Sequence, residues 1–271
     1  MRHFWLILAG LLVAGSTTLG QQPQQQGQRP YPDYAATPAL DPQNNRLDAL
    51  LMQWEAKMKV VESLQAQIVR QTEDKAFRTR NVFEGVAKYK KPNLAILDLR
   101  MKDHPDKMEK FICTGNFVYV FDQDSKEIRV HELPARAGQV SDDNFLSFLF
   151  EIKAQEAKKR YDLAFFKEPD KYYYYLKIMP RTPADKAEFQ VAYLALSQTT
   201  MLPRTLILDD PKGNRTQWDI PVIDNGANLH PREFEKPSLP VGWTVRRMPR
   251  APDARPQGTQ ELPPRIVRPK P

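Results

Sequence analysis

The chain has 271 residues, with 40 Lys and Arg against 33 Asp and Glu, one cysteine, 24 prolines and 11 glycines. This length allows one or two compact domains, and a single cysteine excludes a disulfide framework and a metal site built from several thiolates. A hydrophobic content of 41% suffices for an apolar core but is too low for a protein with many membrane spans. We therefore expect one soluble domain with polar extensions.

The first twenty residues have the organisation of a secretory signal peptide. Arg2 precedes an apolar run over 4–14, and small or polar residues follow up to Gly20. The run is shorter than the roughly 20 residues that span a bilayer, and Thr18 and Gly20 suit the small-residue positions before a cleavage site. We predict that 1–20 is a cleavable signal peptide and that the mature protein is periplasmic. A retained signal anchor is the alternative.

Two proline-rich segments flank the central part of the chain. Residues 21–42 are rich in Gln and Pro, residues 246–271 are basic and rich in Pro, and the two segments together hold half of the 24 prolines. Neither has enough large apolar residues to form a core, so both are predicted to be disordered. The predicted folded domain is 43–245.

The positive charge is concentrated in the C-terminal segment. Residues 246–271 contain seven basic and two acidic residues, which leaves the central domain nearly neutral. A nearly neutral domain lacks the basic surface that nucleic-acid binding requires, so no nucleic-acid partner is expected. The basic segment is a candidate contact for anionic lipid or cell-wall polymer. A solubilising extension is the alternative.

The central region begins with a helix that leads into strands. Apolar residues recur at helical spacing from Leu47 to Val61, and the period changes to two after Glu62, which predicts a first strand. Short turn-rich links separate the later strand-like runs. Ten further strands are predicted at 81–90, 94–102, 108–114, 117–122, 127–132, 160–166, 172–180, 188–196, 203–209 and 214–221.

A second helix is predicted within the strand series. Ser141, Asp142 and Asp143 offer an N-cap and an acidic first turn, and an apolar face follows that ends at Ile152. A single layer of about eleven strands hides both faces only if it curls. The predicted fold is therefore mainly β, an unclosed antiparallel half-barrel with helices covering the concave face.

Several segments, in their order along the chain, resemble a known family. They are the helix-to-strand entry, GVAKYKKPNLAILDL at 85–99, the hairpin at 113–133, MLPRTLILDDPKGNRTQWDI at 201–220 and HPREFEKPSLPVGWTV at 230–245. Over about residues 44–246 the chain resembles the periplasmic lipoprotein carrier LolA and its relatives LolB and RseB. The resemblance implies a half-barrel whose apolar cavity binds the acyl chains of lipoproteins or other lipids without chemistry.

Under this interpretation the partners are acyl chains and the envelope membrane proteins that load or accept the cargo, and the protein is expected to be a monomer. Ordinary core packing is the alternative for each apolar candidate, because alternation shows which residues share a face but not whether that face encloses a void. The residues predicted to line the cavity and its lid are Leu50, Trp54, Tyr119, Phe145, Phe148, Leu149, Tyr174 and Tyr193.

One position departs from the family pattern. The resemblance implies an arginine before the Pro-Asn pair whose hydrogen bonds hold the lid helices, and this sequence has Lys91 there. Lysine keeps the positive charge but cannot make the planar bidentate contacts of a guanidinium. Lys91 is therefore a candidate lid latch, with a solvated charge at the end of a strand as the alternative.

Enzyme function has little support in the sequence. No motif of a serine hydrolase, a zinc protease, a phosphate-binding loop or a dinucleotide-binding fold occurs, so no catalytic residue, cofactor or metal is predicted. The single Cys113 is expected to be a small buried apolar residue. A carrier for lipidated cargo is the main hypothesis, and an RseB-like sensor or regulatory lipid-binding module is the alternative.

Overall fold

The computed structural model describes residues 39–133 and 152–248. The helices in these ranges are α1 (Arg46–Lys59), α2 (Ala154–Arg160) and α3 (Pro183–Glu188), with a 3-10 turn over Pro231–Phe234. The strands are β1 (Ser63–Asp74), β2 (Thr79–Lys90), β3 (Leu94–Met101), β4 (Met108–Thr114), β5 (Phe117–Asp122), β6 (Glu127–Glu132), β7 (Tyr161–Phe165), β8 (Tyr173–Pro180), β9 (Val191–Ser197), β10 (Pro203–Asp209), β11 (Arg215–Asn225) and β12 (Thr244–Arg247).

All twelve strands belong to one sheet, in the order β12-β6-β5-β4-β3-β2-β1-β11-β10-β9-β8-β7. Most neighbours are joined by hairpins, whereas the central pair β1 and β11 brings together segments that are far apart in the chain. Because β12 and β7 are both edge strands, the sheet does not close, and it forms an open half-barrel. This confirms the predicted fold class.

Helix α1 forms because its sequence supplies both a cap and one apolar face. The side chain of Asn45 accepts hydrogen bonds from the backbone N–H groups of Leu47 and Asp48, at 2.9 and 3.2 Å. The last turn carries Lys57 and Lys59, which complement the negative end of the helix dipole. The apolar face packs on the sheet through Leu50, Leu51, Trp54 and Met58, all of them buried.

We call the side of the sheet that carries α1 and α2 the inner face. The residues of β8 to β10 on this face form the main core with the helices. The same face continues across β1 to β4 as a second cluster that includes Ile68, Phe83, Leu97 and Leu99. Alternate residues along each strand supply these side chains, as the period of two predicts.

An ion pair shows that the inner face is concave. Arg70 of β1 donates two hydrogen bonds of 2.6 Å to the carboxylate of Glu109 in β4. Strands β2 and β3 lie between them, a separation of three strand spacings of about 4.8 Å each in a flat sheet. Curvature towards the inner face brings these two side chains within contact. The guanidinium also lies over the rings of Phe83 and Trp218, at 4.4 and 5.2 Å.

The C-terminal part of the domain covers part of the other side, which we call the outer face. Ala227, Leu229 and Phe234 pack against Leu94 and Ile96 there. The ring of Trp243 lies edge-on to that of Phe121 of β5, with centroids 5.8 Å apart. The segment then adds β12 to the edge of the sheet beside β6.

The strand predictions agree closely with the structure. All eleven predicted strands are present, and the bounds of four of them, β4, β5, β6 and β10, match to the residue. Strand β12 was not predicted, and it pairs with β6 in parallel, so the sheet is mixed rather than wholly antiparallel.

The helices can be compared only in part. Helix α2 forms the C-terminal end of the predicted second helix, and residues 134–151 lie outside the described parts of the chain. No helix within 39–133 and 152–248 is both long and apolar enough to cross a membrane.

We expect Gly85→Ala to destabilise the fold strongly. A Cβ at Gly85 in β2 would lie 1.9 Å from the backbone oxygen of Asp98 in β3, so two strands would have to separate at the centre of the curved sheet. The expected loss in the free energy of unfolding is about 3 kcal/mol, measured by urea denaturation. Gly226→Ala is the control, since its only strain is a positive φ of 87° in open space, worth about 1 kcal/mol. Equal losses for the two variants would contradict the close approach of β2 and β3.

Candidate functional site

A pocket opens where α1 meets one end of the sheet. Its volume is about 320 Å³, and we call it the rim pocket. Leu50 and Tyr174 belong to its wall and also pack in the main core, so the pocket lies directly on the apolar interior. The rim pocket is lined by Arg46, Ala49, Leu50 and Gln53 of α1 and by Pro169, Tyr174 and Gln198.

The polar groups of the rim pocket lie at its outer edge. Arg46 makes an exposed ion pair with Glu168 at 3.1 Å, and its guanidinium lies 5.1 Å from the centroid of the Phe165 ring. The side-chain amide of Gln198 donates to the backbone oxygen of Asp170, which fixes the loop between β7 and β8. The wall of the rim pocket therefore combines apolar side chains such as Leu50 and Tyr174 with polar ones such as Gln53.

Helix α1 is held to α2 by two polar contacts. The buried carboxylate of Asp48 forms a salt bridge of 2.8 Å with the ammonium of Lys158. Glu55 accepts a hydrogen bond of 2.9 Å from the backbone N–H of Ala154, the first residue of α2. That N–H group and the Lys59 ammonium both lower the pKa of Glu55, with Lys59 the larger cause. The two helices therefore form one covering unit.

Lys91 contacts the C-terminal end of α1. Its ammonium donates a hydrogen bond of 2.6 Å to the backbone oxygen of Lys59 and lies 3.4 Å from the carboxylate of Glu62. A cation at this position satisfies a terminal helix carbonyl and complements the helix dipole. The side chain that the resemblance identified as the candidate latch thus does contact the helix that covers the inner face.

The structure brings together only some of the predicted cavity residues. Leu50 and Tyr174 meet at the rim pocket, and Trp54 is fully buried in the core beside them. Phe145, Phe148 and Leu149 lie outside the described residues.

Two predicted cavity residues lie on the outer face instead. Tyr119 is the register partner of Ile112 and packs in the outer cluster with Trp243. Tyr193 lies between Lys177 and Ile207 in the sheet, and its ring contacts Phe166 at 5.2 Å. The placement of both residues with Leu50 in one cavity was therefore wrong, because β5 and β9 are apolar on both faces and alternation does not say which face is the inner one.

The ion pair of Arg70 and Glu109 is a feature that the sequence analysis missed. Arg70 continues the alternation of Leu64, Ala66 and Ile68, and its side chain is only 2% exposed. A charged residue in phase with the apolar positions of a strand was the signal that could have identified it. The carboxylate of Glu109 accepts two hydrogen bonds from the guanidinium and compensates its buried positive charge.

Two observations concern metal ligands and the single cysteine. Within 39–133 and 152–248 no group of three His, Cys, Asp or Glu side chains could hold a metal ion. Cys113 is buried, its Sγ lies 3.0 Å from the backbone oxygen of Asn93, and burial raises the pKa of its thiol. A raised pKa disfavours the thiolate that nucleophilic chemistry requires.

A charged cluster joins the end of α2 to α3. Arg160 donates two hydrogen bonds to the buried carboxylate of Asp185, one of them from Nε at 2.7 Å, and Thr182 donates to the same carboxylate at 2.7 Å. Glu188, one turn later in α3, lies close to this carboxylate. Burial and then the charge of Asp185 raise the pKa of Glu188 to about 7, against the opposing effect of Arg160.

We expect Glu188 to make the fold less stable as the pH rises from about 4.5 to 7. Between these values the folded state holds a proton that the unfolded state has released, so the free energy of unfolding falls across this window. Glu188→Gln resembles the protonated form and should match the wild type at about pH 4 and exceed it at about pH 8. Thermal unfolding at several pH values measures this, and a difference that is constant with pH would contradict the assignment.

The comparisons with known proteins concern the fold. No protein-family model and no curated protein sequence matches this chain. Among solved structures, an uncharacterized conserved protein from Thermus thermophilus has 10% identity and a TM-score of 0.46, with 75% of this chain and 100% of that chain covered. A LolA superfamily protein from Nitrosomonas europaea has 13% identity and a TM-score of 0.34, with 70% and 97% covered. The MucA/MucB complex from Pseudomonas aeruginosa gives 14% identity and a TM-score of 0.42, with 70% and 61% covered.

The fold itself is an open half-barrel, as the sequence analysis predicts. What the site can bind follows from the rim pocket and from α1.

Proposed function

We propose that the protein carries acyl chains, of lipoproteins or of other lipids, in the cell envelope and does so without chemistry. The observation that supports this most directly is the rim pocket, which lies beside α1 and shares Leu50 and Tyr174 with the main core. Its volume of about 320 Å³ is at the lower end of the range of ligand pockets, about 300–1,000 Å³. The predicted signal peptide supports the location.

The energetics allow an acyl chain to replace part of the packing of α1. The helix buries four large apolar side chains, each worth about 1.5–3 kcal/mol. An acyl chain of about a dozen methylenes gains roughly 10 kcal/mol on leaving water. These two amounts are similar, so a chain that enters under α1 offsets the contacts that the helix gives up.

The contacts of α1 also suit a cover that moves with α2. Its polar partners lie on α2, at Lys91 and at Glu168, and each of these groups can bind water instead when the helix shifts. In the proposed carrier, α1 and α2 tilt away from β8 and β9, the rim pocket widens, and the acyl chain lies on the inner face of the sheet.

Filling the rim pocket should weaken acyl-chain binding. Ala49 lines the pocket, so Ala49→Phe places a ring in the space while the core face of α1 is unchanged. We expect wild-type affinity for fluorescent fatty acids to rise with chain length, by up to about 0.8 kcal/mol per methylene, until the pocket is full, and expect Ala49→Phe to bind at least tenfold more weakly.

The matched control is Ala56→Phe, which adds the same ring to an exposed position of the same helix. It should leave both affinity and melting temperature close to those of the wild type. Recovery of the ligand after binding should yield the intact fatty acid. An affinity that is independent of chain length, or equal effects of the two Phe variants, would overturn the carrier proposal, and a chemically altered ligand would favour an enzyme.

Loss of the Lys91 contact should speed the entry of the acyl chain. Lys91→Met removes the hydrogen bond to Lys59 at the end of α1, which should cost about 1 kcal/mol and raise the rate of uptake about fivefold in stopped-flow measurements. Lys88→Met is the control, because it breaks an ion pair with Glu233 on the outer face. Equal uptake rates in the two variants would show that Lys91 does not restrain α1.

A further inference from the structure

The outer face of β8 and β9 and the adjoining loop carry a continuous group of aromatic rings, which we call the tyrosine surface. Phe166 contacts Tyr193 at 5.2 Å and Tyr175 at 5.8 Å between ring centroids, and Tyr173 links Tyr175 to Tyr172 at 6.2 Å on either side. Phe166 is 44% exposed and Tyr172 is 58% exposed. The tyrosine surface is formed by Phe166, Tyr172, Tyr173, Tyr175 and Tyr193.

Two lysines lie directly on these rings. The ammonium of Lys167 is 3.6 Å from the centroid of Tyr175, and that of Lys171 is 4.7 Å from the centroid of Tyr172. Lys167 also acts on Asp170: after the hydrogen bond from Tyr175, its charge is a smaller cause that lowers the pKa of that carboxyl. The carboxylate of Asp170, in the same loop, accepts a hydrogen bond of 2.6 Å from the hydroxyl of Tyr175 and two more from backbone N–H groups.

This combination has the chemistry of a bilayer interface. Tyr and Phe rings place an apolar body and, in Tyr, a polar tip at the level of the lipid headgroups, and lysines on the same surface meet the lipid phosphates. The charges of Lys167 and Lys171 complement an anionic surface rather than a neutral one. We propose that the tyrosine surface docks the protein on a bilayer that contains anionic phospholipid.

The tyrosine surface lies next to the rim pocket. The loop that carries Phe166, Lys167 and Lys171 also supplies Pro169 to the wall of the rim pocket. A protein docked through the tyrosine surface would therefore hold the mouth of the pocket next to the headgroups. This consequence rests on the proposed function, whereas the docking itself concerns the outer surface alone.

The hairpin between β1 and β2 supplies a matched control. Phe77 at its tip is 79% exposed and is flanked by Lys75 and Arg78. The register of β1 with β11, and of β11 with β10 and β9, puts this hairpin at the opposite end of the sheet from the loop between β7 and β8. It therefore offers an exposed ring with cations but without the tyrosine surface.

The test is flotation of the secreted form of the chain with vesicles of phosphatidylcholine, or of phosphatidylcholine mixed with phosphatidylglycerol. We expect binding to the mixed vesicles that weakens with salt, and little binding to phosphatidylcholine alone. Lys167→Gln with Lys171→Gln should bind roughly 30-fold more weakly. Phe166→Ser with Tyr172→Ser should also bind weakly, and Phe77→Ser with Lys75→Gln should bind as the wild type does.

The basic segment 246–271 is present in every variant, so its contribution is a constant background. Unchanged binding in the Lys167 and Lys171 variant, an equal loss in the Phe77 variant, or equal binding to both kinds of vesicle would overturn the proposal. Fatty-acid binding measured in detergent-free solution with the same variants should match the wild type. A loss of vesicle binding with intact fatty-acid binding therefore separates docking from the carrier function.

Discussion

The rest of the structure depends on one constraint, that a single sheet has two faces and both of them carry apolar side chains. Curvature and the helices α1 and α2 bury the inner face, and the segment after β11 buries the outer face of β3 to β6 through residues such as Phe234 and Trp243. No described cluster of buried residues covers the outer face of β8 and β9, where Tyr173, Tyr175 and Tyr193 lie.

Curvature also decides where the rim pocket forms. Gly85 lets β2 and β3 approach closely, and the pair of Arg70 and Glu109 spans the resulting concave face. Side chains of the sheet form a buried cluster in this half of the inner face, with Leu99 completely buried. In the other half, the core depends on α1, and the space next to its first turns is the rim pocket. The rim pocket therefore belongs to the half of the inner face whose core is completed by α1.

The sequence predicted the strands well because each has a clear period of two between strong turn signals, as at β4, β5 and β6. It did not predict which face a strand buries. In β5, Phe117 and Tyr119 alternate with Val118 and Val120, so both faces look apolar, and the long-range packing of Trp243 decides the outcome. Strand β12 has only four exposed residues and pairs with β6 more than a hundred positions earlier, which no local pattern reveals.

Burial also restrains α1 more strongly than its contact with Lys91 does. Lys91 makes a contact with a helix carbonyl from a side chain that is 31% exposed, so water competes for both partners and the contact restrains the helix only weakly. The four buried apolar residues of α1 contribute several times more. A hydrogen bond from the protein surface does not replace that burial. The restraint on α1 is therefore of the same physical kind as the affinity expected for the proposed cargo, whose gain grows with acyl-chain length while the restraint stays constant.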